Sequence, residues 1–492
     1  MAFQERFRSE TLLQDSIRGY IAIASATPER LTEETSFERD LIDSPWLQRL
    51  RQIRQLQTAW FVYPTAEHSR FPHVLGTASV ASQVWDAWQD GFYSVFDDRP
   101  DLLESGVCDD ARRPLPSRYC IEELLRVAGL LHDVGHGPFG HFFDEHFLSR
   151  FKTRDGETLT HETLGAEIIR ERLADVVSGL RRSPQGRFQP GEAISPDDVA
   201  FLIVRPKSNE ADERKPVWLR MLRSLFSGLY TVDNLDFVTR DAYMSGFSVS
   251  PFDLERLIHY SFFTEQGLTL HKKGAPTLLR FLNARAELFQ SIYYHRTVRA
   301  VDLALADLFE KCADLLYPYG NPVDSLDEYL RFTDWSLISD VASWDKSNDP
   351  HKRELASAWR DFIDRKIAWR MLAEKTIVFK GDEQEETSVF SSPEIFEAAV
   401  RAKLSPQAKN LPLRFDVARH ARRPKAALER NFLYDPETDK VVSILNDEGI
   451  RQAPKSFYIC RVYGKSNEGR EEIVRAFNKL TDGGGKDDLT NV

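Results

Sequence analysis

Histidines and carboxylates are concentrated in one stretch of the sequence, GLLHDVGHGPFGHFFDEHF, which runs from Gly129 to Phe147. It carries four histidines and three acidic residues directly after an apolar run. Burying ionisable groups at a helix end costs free energy unless a partner compensates for them. A metal ion is the usual partner, so this stretch predicts a metal-dependent catalytic site.

The His132–Asp133 pair is the centre of this prediction. Imidazole and carboxylate together suit Mn²⁺, Fe²⁺, Ni²⁺, Zn²⁺ or Mg²⁺, with water at the open positions. The remaining ligands must come from elsewhere, and the sequence offers His68, His73, Asp233, Asp236 and Asp241. A single histidine on an apolar face is more often a hydrogen-bonded core residue than a ligand. However, seven of the twelve histidines lie between residues 68 and 161, which favours a metal site.

The composition of the whole chain restricts its class. With 492 residues, the chain is long enough for a large domain and a smaller lobe. The net charge of −11 is unfavourable for non-specific binding to nucleic acid or to anionic membranes. No run approaches the roughly 18 apolar residues of a membrane span. The four cysteines show no C-x-x-C spacing. We expect a soluble, cytoplasmic protein with no membrane partner, and the charge disfavours a nucleic-acid partner.

Helical patterns dominate as far as about residue 370. An apolar stripe from Ile121 to Leu131 predicts a helix that ends at His132. A second pattern predicts one long helix from Pro276 to Leu316, with the proline in its first turn.

The pattern changes after this point to short strand-like segments: KTIVFK, LRFDVARH, NFLYD, KVVSIL and SFYICRVY. DPETD between two of them is a hairpin signal, and EGREEIVRAFNKL predicts a closing amphipathic helix. We therefore expect a mainly α fold with three parts: a helical domain over residues 1–370, a smaller C-terminal α+β lobe over 371–480, and a disordered tail over 481–492.

The order His, His-Asp, Asp is that of the HD phosphohydrolase superfamily, which this sequence resembles. SPWLQRLRQIRQLQTAWFVYPTAEHSRFPHVLG, the stretch from Gly129, THETLG and DNLDFVTRD follow in the order found in deoxynucleoside triphosphate triphosphohydrolases. These include vertebrate enzymes that join a sterile-alpha-motif domain to an HD domain, and bacterial dGTPase-like relatives. The resemblance runs from about residue 11 to about residue 475. It implies an HD-domain helical core and four metal ligands: His73, His132, Asp133 and Asp233.

The resemblance also implies a reaction. In this family, cleavage between the α-phosphate and the 5′ oxygen gives a deoxynucleoside and intact triphosphate. The leaving 5′ alkoxide needs a proton, and histidine can supply it near neutral pH. By this resemblance His161 is the general acid, Asp144 holds a catalytic histidine, and His136 and His141 line the phosphate pocket. For His146 we favour a surface or core position.

The implied substrate pocket has a sugar end and a phosphate end. By resemblance, Gln55 binds the 3′-hydroxyl and Leu56 crowds out a 2′-hydroxyl, although Leu56 is also a candidate core leucine. Arg70 is expected to contact phosphate, and Asp241 the 3′-hydroxyl. Further along the chain, the expected nucleotide contacts are Tyr293, Tyr294, Arg285 and Arg296. The two arginines are eleven residues apart, close to three turns, so we expect them to share one helix face.

Three positions depart from the family pattern. Phe237 replaces a usual tyrosine, Asn234 replaces a lysine that often follows the metal aspartate, and Phe289 replaces a histidine. We keep Asn234 and Phe237 as substrate-site positions. The changes leave the identity of the substrate open more than the class of reaction.

Many enzymes of this family are oligomers that are activated by nucleotides bound between subunits. Asp43, Gln48 and Arg51 match positions that read a guanine-type activator, but Thr11 replaces a phosphate-binding lysine. An ion pair between Arg51 and Asp43 is the structural alternative. The resemblance thus predicts a homo-oligomer (dimer, tetramer or hexamer) with a possible nucleotide activator.

Three functions remain open from the sequence. The first is metal-dependent hydrolysis of deoxynucleoside triphosphates. The second is another HD-family activity, namely a nucleotidase, a phosphodiesterase or a 3′-exonuclease on oligonucleotides. The third is a non-catalytic nucleotide sensor that has kept the fold.

Overall fold

The computed structural model describes residues 10–25, 36–105, 108–204, 213–379, 388–421, 428 and 430–481. The predicted tail lies outside these residues from position 482 onward. The fold is mainly helical with smaller sheets, as predicted. No helix among the described residues combines the length and the apolar character that crossing a bilayer requires.

Helices build most of the larger body. In chain order they are α1 (Glu38–Ile42), α2 (Pro45–Gln48), α3 (Arg70–Asp98), α4 (Asp101–Glu104), α5 (Arg118–Leu131), α6 (His141–His146), α7 (His161–Arg172), α8 (Ala174–Gly179), α9 (Pro196–Ile203), α10 (Val217–Leu222), α11 (Val232–Met244), α12 (Leu254–His259), α13 (Ala275–Leu288), α14 (Arg296–Leu316), α15 (Leu326–Leu330), α16 (Asp334–Ser343), α17 (Pro350–Ile363), α18 (Pro393–Ala402), α19 (Pro406–Lys409), α20 (Glu448–Gln452) and α21 (Arg470–Thr481).

The strands form three small sheets. They are β1 (Glu10–Asp15), β2 (Gly19–Ala24), β3 (Ser261–Thr264), β4 (Gly267–His271), β5 (Arg370–Phe379), β6 (Leu413–Ala421), β7 (Asn431–Asp435), β8 (Lys440–Ser443) and β9 (Ser456–Gly464). β1 and β2 form an antiparallel hairpin, and the second sheet has the order β3-β4-β7-β8. The third has the order β5-β9-β6, and both of its pairings are antiparallel.

Helices α3 and α5 pack side by side at the centre of the main apolar core. Their backbones approach closely at Gly129, where an added Cβ would lie 3.0 Å from the backbone nitrogen of Ala78. The apolar stripe of α5 is buried, and the helix ends at Leu131, directly before His132, as predicted. The close packing brings the start of α3 and the end of α5 together, and this is where the candidate site lies.

The prediction of one helix from Pro276 to Leu316 is wrong. α13 ends at Leu288, a π-helical turn covers Phe289–Tyr293, and α14 begins at Arg296. His295 caps α14, and its Nδ1 accepts a hydrogen bond from the Thr297 amide at 3.2 Å. The expectation that Arg285 and Arg296 share a face therefore fails, because the intervening turn breaks the 3.6-residue period.

The strand-like segments after residue 370 are strands, and β7 and β8 form the predicted hairpin. β5, β6, β9 and α21 surround a separate apolar cluster that includes Phe396, Phe415 and Phe477. β7 instead pairs in parallel with β4, and Leu433 belongs to the main core. The segment from β7 to α20 thus returns to the larger body. β1 to β4 were not anticipated within the region predicted to be helical.

Candidate metal and catalytic site

Three side chains converge where α3, α5 and α11 meet. His73 lies in the first turn of α3, His132 directly follows α5, and Asp233 lies in the first turn of α11. The Nε2 atoms of the two histidines are 3.2 Å apart. Oδ1 of Asp233 is 3.1 Å from Nε2 of His73 and 3.6 Å from Nε2 of His132. These donor atoms are close enough to hold one metal ion.

Asp133 lies at the edge of this group and faces two ways. Its Oδ1 is 3.4 Å from His132 Nε2 and 3.3 Å from His136 Nε2. Its Oδ2 accepts a 2.6 Å hydrogen bond from Arg70 Nη1 and lies 3.9 Å from His73 Nε2. The structure therefore brings all four predicted ligands together, with one Asp133 oxygen engaged by arginine.

The electrostatic field at this point favours a cation. Burial disfavours the charged form of His73, but hydrogen bonds to Asp233 and Asp236 outweigh it and raise the pKa to about 10. Burial also opposes ionisation of Asp233, yet the two histidines lower the pKa of its carboxyl. A carboxylate field that attracts a proton attracts a divalent ion as well, and the imidazole and carboxylate donors fit one.

Asp236 supports the group from behind, a role the sequence did not assign to it. Its Oδ2 is 2.9 Å from Nδ1 of His73, and its carboxylate also accepts hydrogen bonds from Arg18 and Arg240. A carboxylate on the second ring nitrogen fixes the orientation of a metal-binding histidine. The signal was present in the sequence, because Asp236 is three residues after Asp233 and so lies on the same helix face.

A second cluster contains His136, His141, Asp144 and His161. Nδ1 of His161 makes a 2.5 Å hydrogen bond with Asp144 Oδ2, and Nδ1 of His141 lies 3.4 Å from the same oxygen. The ring of His136 stacks on that of His161 with centroids 3.7 Å apart. His141 is exposed, whereas His136 is fully buried.

Charges shift the pKa values in this cluster in opposite directions. Burial disfavours charged His161, but the Asp144 carboxylate outweighs it and raises the pKa. Burial lowers the pKa of His136 well below its usual value, and Arg70 and His161 add to this effect. Burial opposes the charge on Asp144, but His161 and His136 hold the pKa of the carboxyl well below its usual value. The site thus places His161, whose pKa is raised, against His136, whose pKa is lowered.

Gly135 allows the two clusters to share one loop. An added Cβ there would lie 2.0 Å from the carbonyl oxygen of His161 and 2.6 Å from the amide nitrogen of Gly165. Only glycine permits this approach of α7 to the loop after α5. As a result, His161, 29 positions after His132 in the chain, is brought to the same loop.

A third group lies between Gln55 and the end of the π-helical turn. His68 Nε2 is 2.8 Å from Asp241 Oδ1, and the Tyr293 hydroxyl donates to the other oxygen of Asp241. Gln55 donates its backbone amide to the His68 carbonyl, and its buried Oε1 has no hydrogen bond in the described part of the chain. Leu56 is buried in a small apolar cluster, which fits the core alternative. His68 is a site candidate that the sequence placed only among possible metal ligands.

The other predicted nucleotide-binding residues do not lie together in one group. Arg285 is buried and donates to the carbonyls of Leu229 and Ala421 at 3.5 and 3.3 Å, and burial lowers its pKa to about 10. Arg296 is exposed. The Tyr294 hydroxyl donates to the Arg419 carbonyl at 2.5 Å.

Two of the three departures from the family pattern lie on α11, and the third, Phe289, begins the π-helical turn. Phe237 is half-buried and faces Phe289 edge-on, with ring centroids 6.3 Å apart. Asn234 is half-buried and follows the metal-site aspartate, and its amide donates to the capping hydroxyl of Thr231.

Of the three residues predicted to bind an activator, Gln48 and Arg51 contact each other, whereas Asp43 pairs with a different residue. Arg51 Nε donates to Gln48 Oε1 at 2.8 Å, and its guanidinium lies 3.6 Å from the ring centre of Phe71. Asp43 pairs with Arg39 at 3.2 Å, on an exposed surface. The alternative ion pair between Arg51 and Asp43 is not among the ion pairs of the described residues.

Comparisons with known proteins agree with this geometry. Residues 70–198 match the family model described as HD domain. The chain is 27% identical over 342 residues to the uncharacterized protein YwfO of Bacillus subtilis, covering 67% of this chain and 66% of that protein. It is 23% identical over 487 residues to the deoxynucleoside triphosphate triphosphohydrolase SAMHD1 homolog of Dictyostelium discoideum, covering 96% and 81%.

Two further comparisons concern the length of the relatives that the chain covers and its fold. Human deoxynucleoside triphosphate triphosphohydrolase SAMHD1 is 27% identical over 331 residues, covering 62% of this chain and 48% of that protein. The chain thus spans just under two thirds of the Bacillus protein and about half of the human one. The crystal structure of a hypothetical protein from Aquifex aeolicus has the same fold, with a TM-score of 0.65, 20% identity, and coverage of 95% of this chain and 99% of that one.

Proposed function

We propose that this chain, whose residues 70–198 match the HD domain model and which is similar to deoxynucleoside triphosphate triphosphohydrolases, hydrolyses deoxynucleoside triphosphates to deoxynucleoside and inorganic triphosphate. One observation carries the proposal. The group of metal-binding side chains and the His161–Asp144 pair lie on either side of His136, which stacks on His161 and faces Asp133.

The metal has a defined place in this proposal. His73, His132, Asp133 and Asp233 would hold a divalent ion (Mn²⁺, Mg²⁺, Fe²⁺, Ni²⁺ or Zn²⁺). When bound, such an ion polarises phosphoryl oxygens and activates water. Arg70 keeps Asp133 ionised through its 2.6 Å hydrogen bond. Its Nε has no hydrogen bond in the described part of the chain, and we assign it to an α-phosphate oxygen.

His161 is the general acid in this scheme. Its Nδ1–H donates to Asp144, which leaves Nε2 to carry the second proton. The raised pKa of His161 keeps that proton available near neutral pH. The proton passes from Nε2 to the 5′ oxygen as the bond to the α-phosphorus breaks, so the deoxynucleoside leaves as a neutral alcohol.

The remaining histidines of the cluster act on phosphate. His136 has a lowered pKa, so it is an uncharged hydrogen-bond donor beneath the phosphates. His141 is exposed, and its Nδ1 lies 3.4 Å from Asp144 Oδ2. Neither needs to change charge during the reaction.

The sugar end of the pocket selects deoxyribose in this proposal. The 3′-hydroxyl donates its single proton to the Asp241 carboxylate, and its oxygen accepts a hydrogen bond from the side-chain amide of Gln55, whose Oε1 has no partner among the described residues. Leu56 is packed in place and leaves no room for a 2′-hydroxyl. Tyr293 fixes Asp241 through its hydroxyl. Contacts of the nucleotide with Tyr294, Arg285 and Arg296 stay predictions, because the first two side chains donate to backbone carbonyls and Arg296 is exposed.

The substitutions on α11 favour one alternative. Phe237 lacks the hydroxyl, and Asn234 the positive charge, that the family usually places beside the sugar and phosphates. Without these groups the site would bind a triphosphate less tightly. This favours the alternative of another HD-family activity, on a monophosphate or an oligonucleotide. The proposal extends to two further points. A nucleotide activator binds at Asp43, Gln48 and Arg51, and the chain assembles into a homo-oligomer.

Product analysis tests the proposal. The purified protein is incubated with Mn²⁺ or Mg²⁺ and each dNTP and rNTP, singly and in pairs, and the products are separated by chromatography. We expect deoxynucleoside plus intact triphosphate from dNTPs. His132→Ala with Asp133→Ala abolishes this, whereas the exposed His351→Ala leaves it unchanged. Monophosphate and pyrophosphate as products, or turnover of oligonucleotides alone, would contradict the proposal in favour of the alternative.

A further inference from the structure

Asp334 is a completely buried carboxylate that joins two distant parts of the proposed pocket. It lies in the first turn of α16, and its Oδ1 accepts a hydrogen bond from the Phe139 amide at 2.8 Å. Its Oδ2 accepts one from the Arg54 amide at 3.0 Å. Phe139 is in the glycine-rich loop between α5 and α6, and Arg54 directly precedes Gln55. One side chain, 195 and 280 residues away from its two donors, therefore connects the phosphate end of the pocket to the sugar end.

The phosphate end of this connection has an unusual backbone conformation. Phe139 has a φ of +60° and Gly140 a φ of +56°, values that favour glycine. A residue other than glycine keeps such a conformation only where its surroundings fix it, and the hydrogen bond to Asp334 does so here. An added Cβ on Gly140 would lie 2.4 Å from Nη2 of Arg70, so the loop packs directly against this arginine. The loop conformation that Asp334 holds therefore sets the place of the guanidinium that we assign to the α-phosphate.

Two further side chains hold the rest of the same loop against the segment that leads into α16. Arg49 is 4% exposed, and its Nη1 donates to the carbonyls of Val134 and His136 at 3.2 and 2.7 Å. Its Nη2 donates to two carbonyls at the end of α15 and just after it. The Tyr329 hydroxyl, on α15, donates to the Gly135 carbonyl at 2.8 Å. The loop and the start of α16 are thus fixed to each other at several backbone positions, so a shift of one moves the other.

We propose that Asp334 is a positioning residue that sets the spacing between the sugar-binding and phosphate-binding ends of the pocket. It acts through the two main-chain amides that it holds, and not by contact with the nucleotide. A nucleotide binds both ends at once, so an error in their spacing misplaces the 5′ oxygen relative to His161 and the deoxyribose relative to Leu56. Asp334 therefore contributes both to the rate and to the preference for deoxyribose. This consequence rests on the proposed function, whereas the connection between the two ends does not.

Amide hydrogen exchange of the full chain, followed by mass spectrometry, tests the connection without nucleotide. Asp334→Asn keeps the shape of the side chain but has a single oxygen, so it can accept from only one of the two amides at a time. We expect residues 52–58 and 137–143 to exchange about 2–10-fold faster, which corresponds to the loss of one hydrogen bond. Asp334→Ser is the second variant, because the smaller side chain cannot overpack the site. Asp198→Asn, a buried aspartate in the first turn of α9, is the matched control and should change neither segment.

Steady-state kinetics test the consequence for specificity. The kcat/KM for a dNTP, divided by that for the matching rNTP, should fall by about 2–10-fold in Asp334→Asn and stay constant in Asp198→Asn. A purely structural loss lowers the amount of folded enzyme and leaves this ratio unchanged. An unchanged ratio, or a segment that keeps its exchange rate in both Asp334 variants, overturns the proposal. If the unmodified chain hydrolyses no dNTP, the proposed function fails, and the exchange experiment still decides whether Asp334 holds the two ends together.

Discussion

Nδ1 of His73 lies 2.9 Å from Oδ2 of Asp236, a carboxylate that is completely buried and also bound by Arg18 and Arg240. This contact leaves Nε2 of His73 pointing toward Asp233 and His132. The two arginines keep Asp236 ionised in spite of its burial, because they lower the pKa of its carboxyl. One buried carboxylate therefore sets both the orientation and the basicity of a proposed metal ligand.

Asp236→Asn should weaken metal binding. The amide cannot hold His73 in one orientation as strongly, and loss of such an outer partner typically costs about 10–100-fold in affinity. Mn²⁺ affinity, measured by titration of the metal-free protein, checks this. Asp86→Asn, an exposed change on the same helix as His73, should leave the affinity unchanged. Equal affinities for the two variants would show that Asp236 does not support His73.

Gly76→Ala should destabilise the fold at the same point. A Cβ there would lie 2.2 Å from Asp236 Oδ1 and 2.3 Å from Arg240 Nη2, so the buried ion pair would have to move. Overpacking of this kind costs about 1–3 kcal/mol of unfolding free energy, measured by denaturant unfolding. Gly91→Ala on the same helix is the matched control, because its nearest neighbour is 3.7 Å away. That change should be neutral or stabilising by up to about 1 kcal/mol.

The parts of the site that the sequence pattern itself could indicate are local in the sequence, whereas His73 and Asp233 were assigned as ligands by the resemblance. His132, Asp133 and His136 follow an amphipathic helix of evident period, and that helix ends where the pattern predicts. Asp144 and His161 lie within 30 residues of them. A short motif with fixed spacing restricts geometry strongly, so resemblance could identify its members.

The parts that were missed depend on distant segments. Arg18, on the hairpin turn between β1 and β2, reaches Asp236, which is 218 residues away. β4 pairs with β7 across about 160 positions, which no local pattern indicates. The π-helical turn at Phe289–Tyr293 interrupts a stretch whose apolar spacing looks continuous. In each case tertiary contacts determine the local structure, and the local sequence does not indicate those contacts.

Tyr293→Phe should weaken substrate binding more than it slows turnover. The hydroxyl donates to Asp241, which His68 holds from the other side. Without it, Asp241 is less well placed for the sugar, and a lost hydrogen bond of about 0.5–1.5 kcal/mol corresponds to a rise in KM of roughly 2–10-fold. Steady-state kinetics with a dNTP check this. Tyr243→Phe, an exposed tyrosine on α11, is the control and should leave KM unchanged. A fall in kcat with constant KM would contradict the positioning role.

The pH dependence of hydrolysis should be governed by the His161–Asp144 pair. The carboxylate overcomes the effect of burial and raises the pKa of His161, so the protonated, active form persists to higher pH than for an ordinary histidine. Activity should therefore be lost as pH rises through this raised pKa. Asp144→Asn removes the charge, lowers the pKa of His161 and moves the alkaline limb of the kcat/KM profile to lower pH, with a loss of rate of about 10²–10⁴-fold near neutrality. Glu145→Gln, the exposed neighbouring change, should leave the limb in place. If Asp144→Asn lowers the rate equally at every pH, His161 is not the group that titrates, and its assignment as the general acid is wrong.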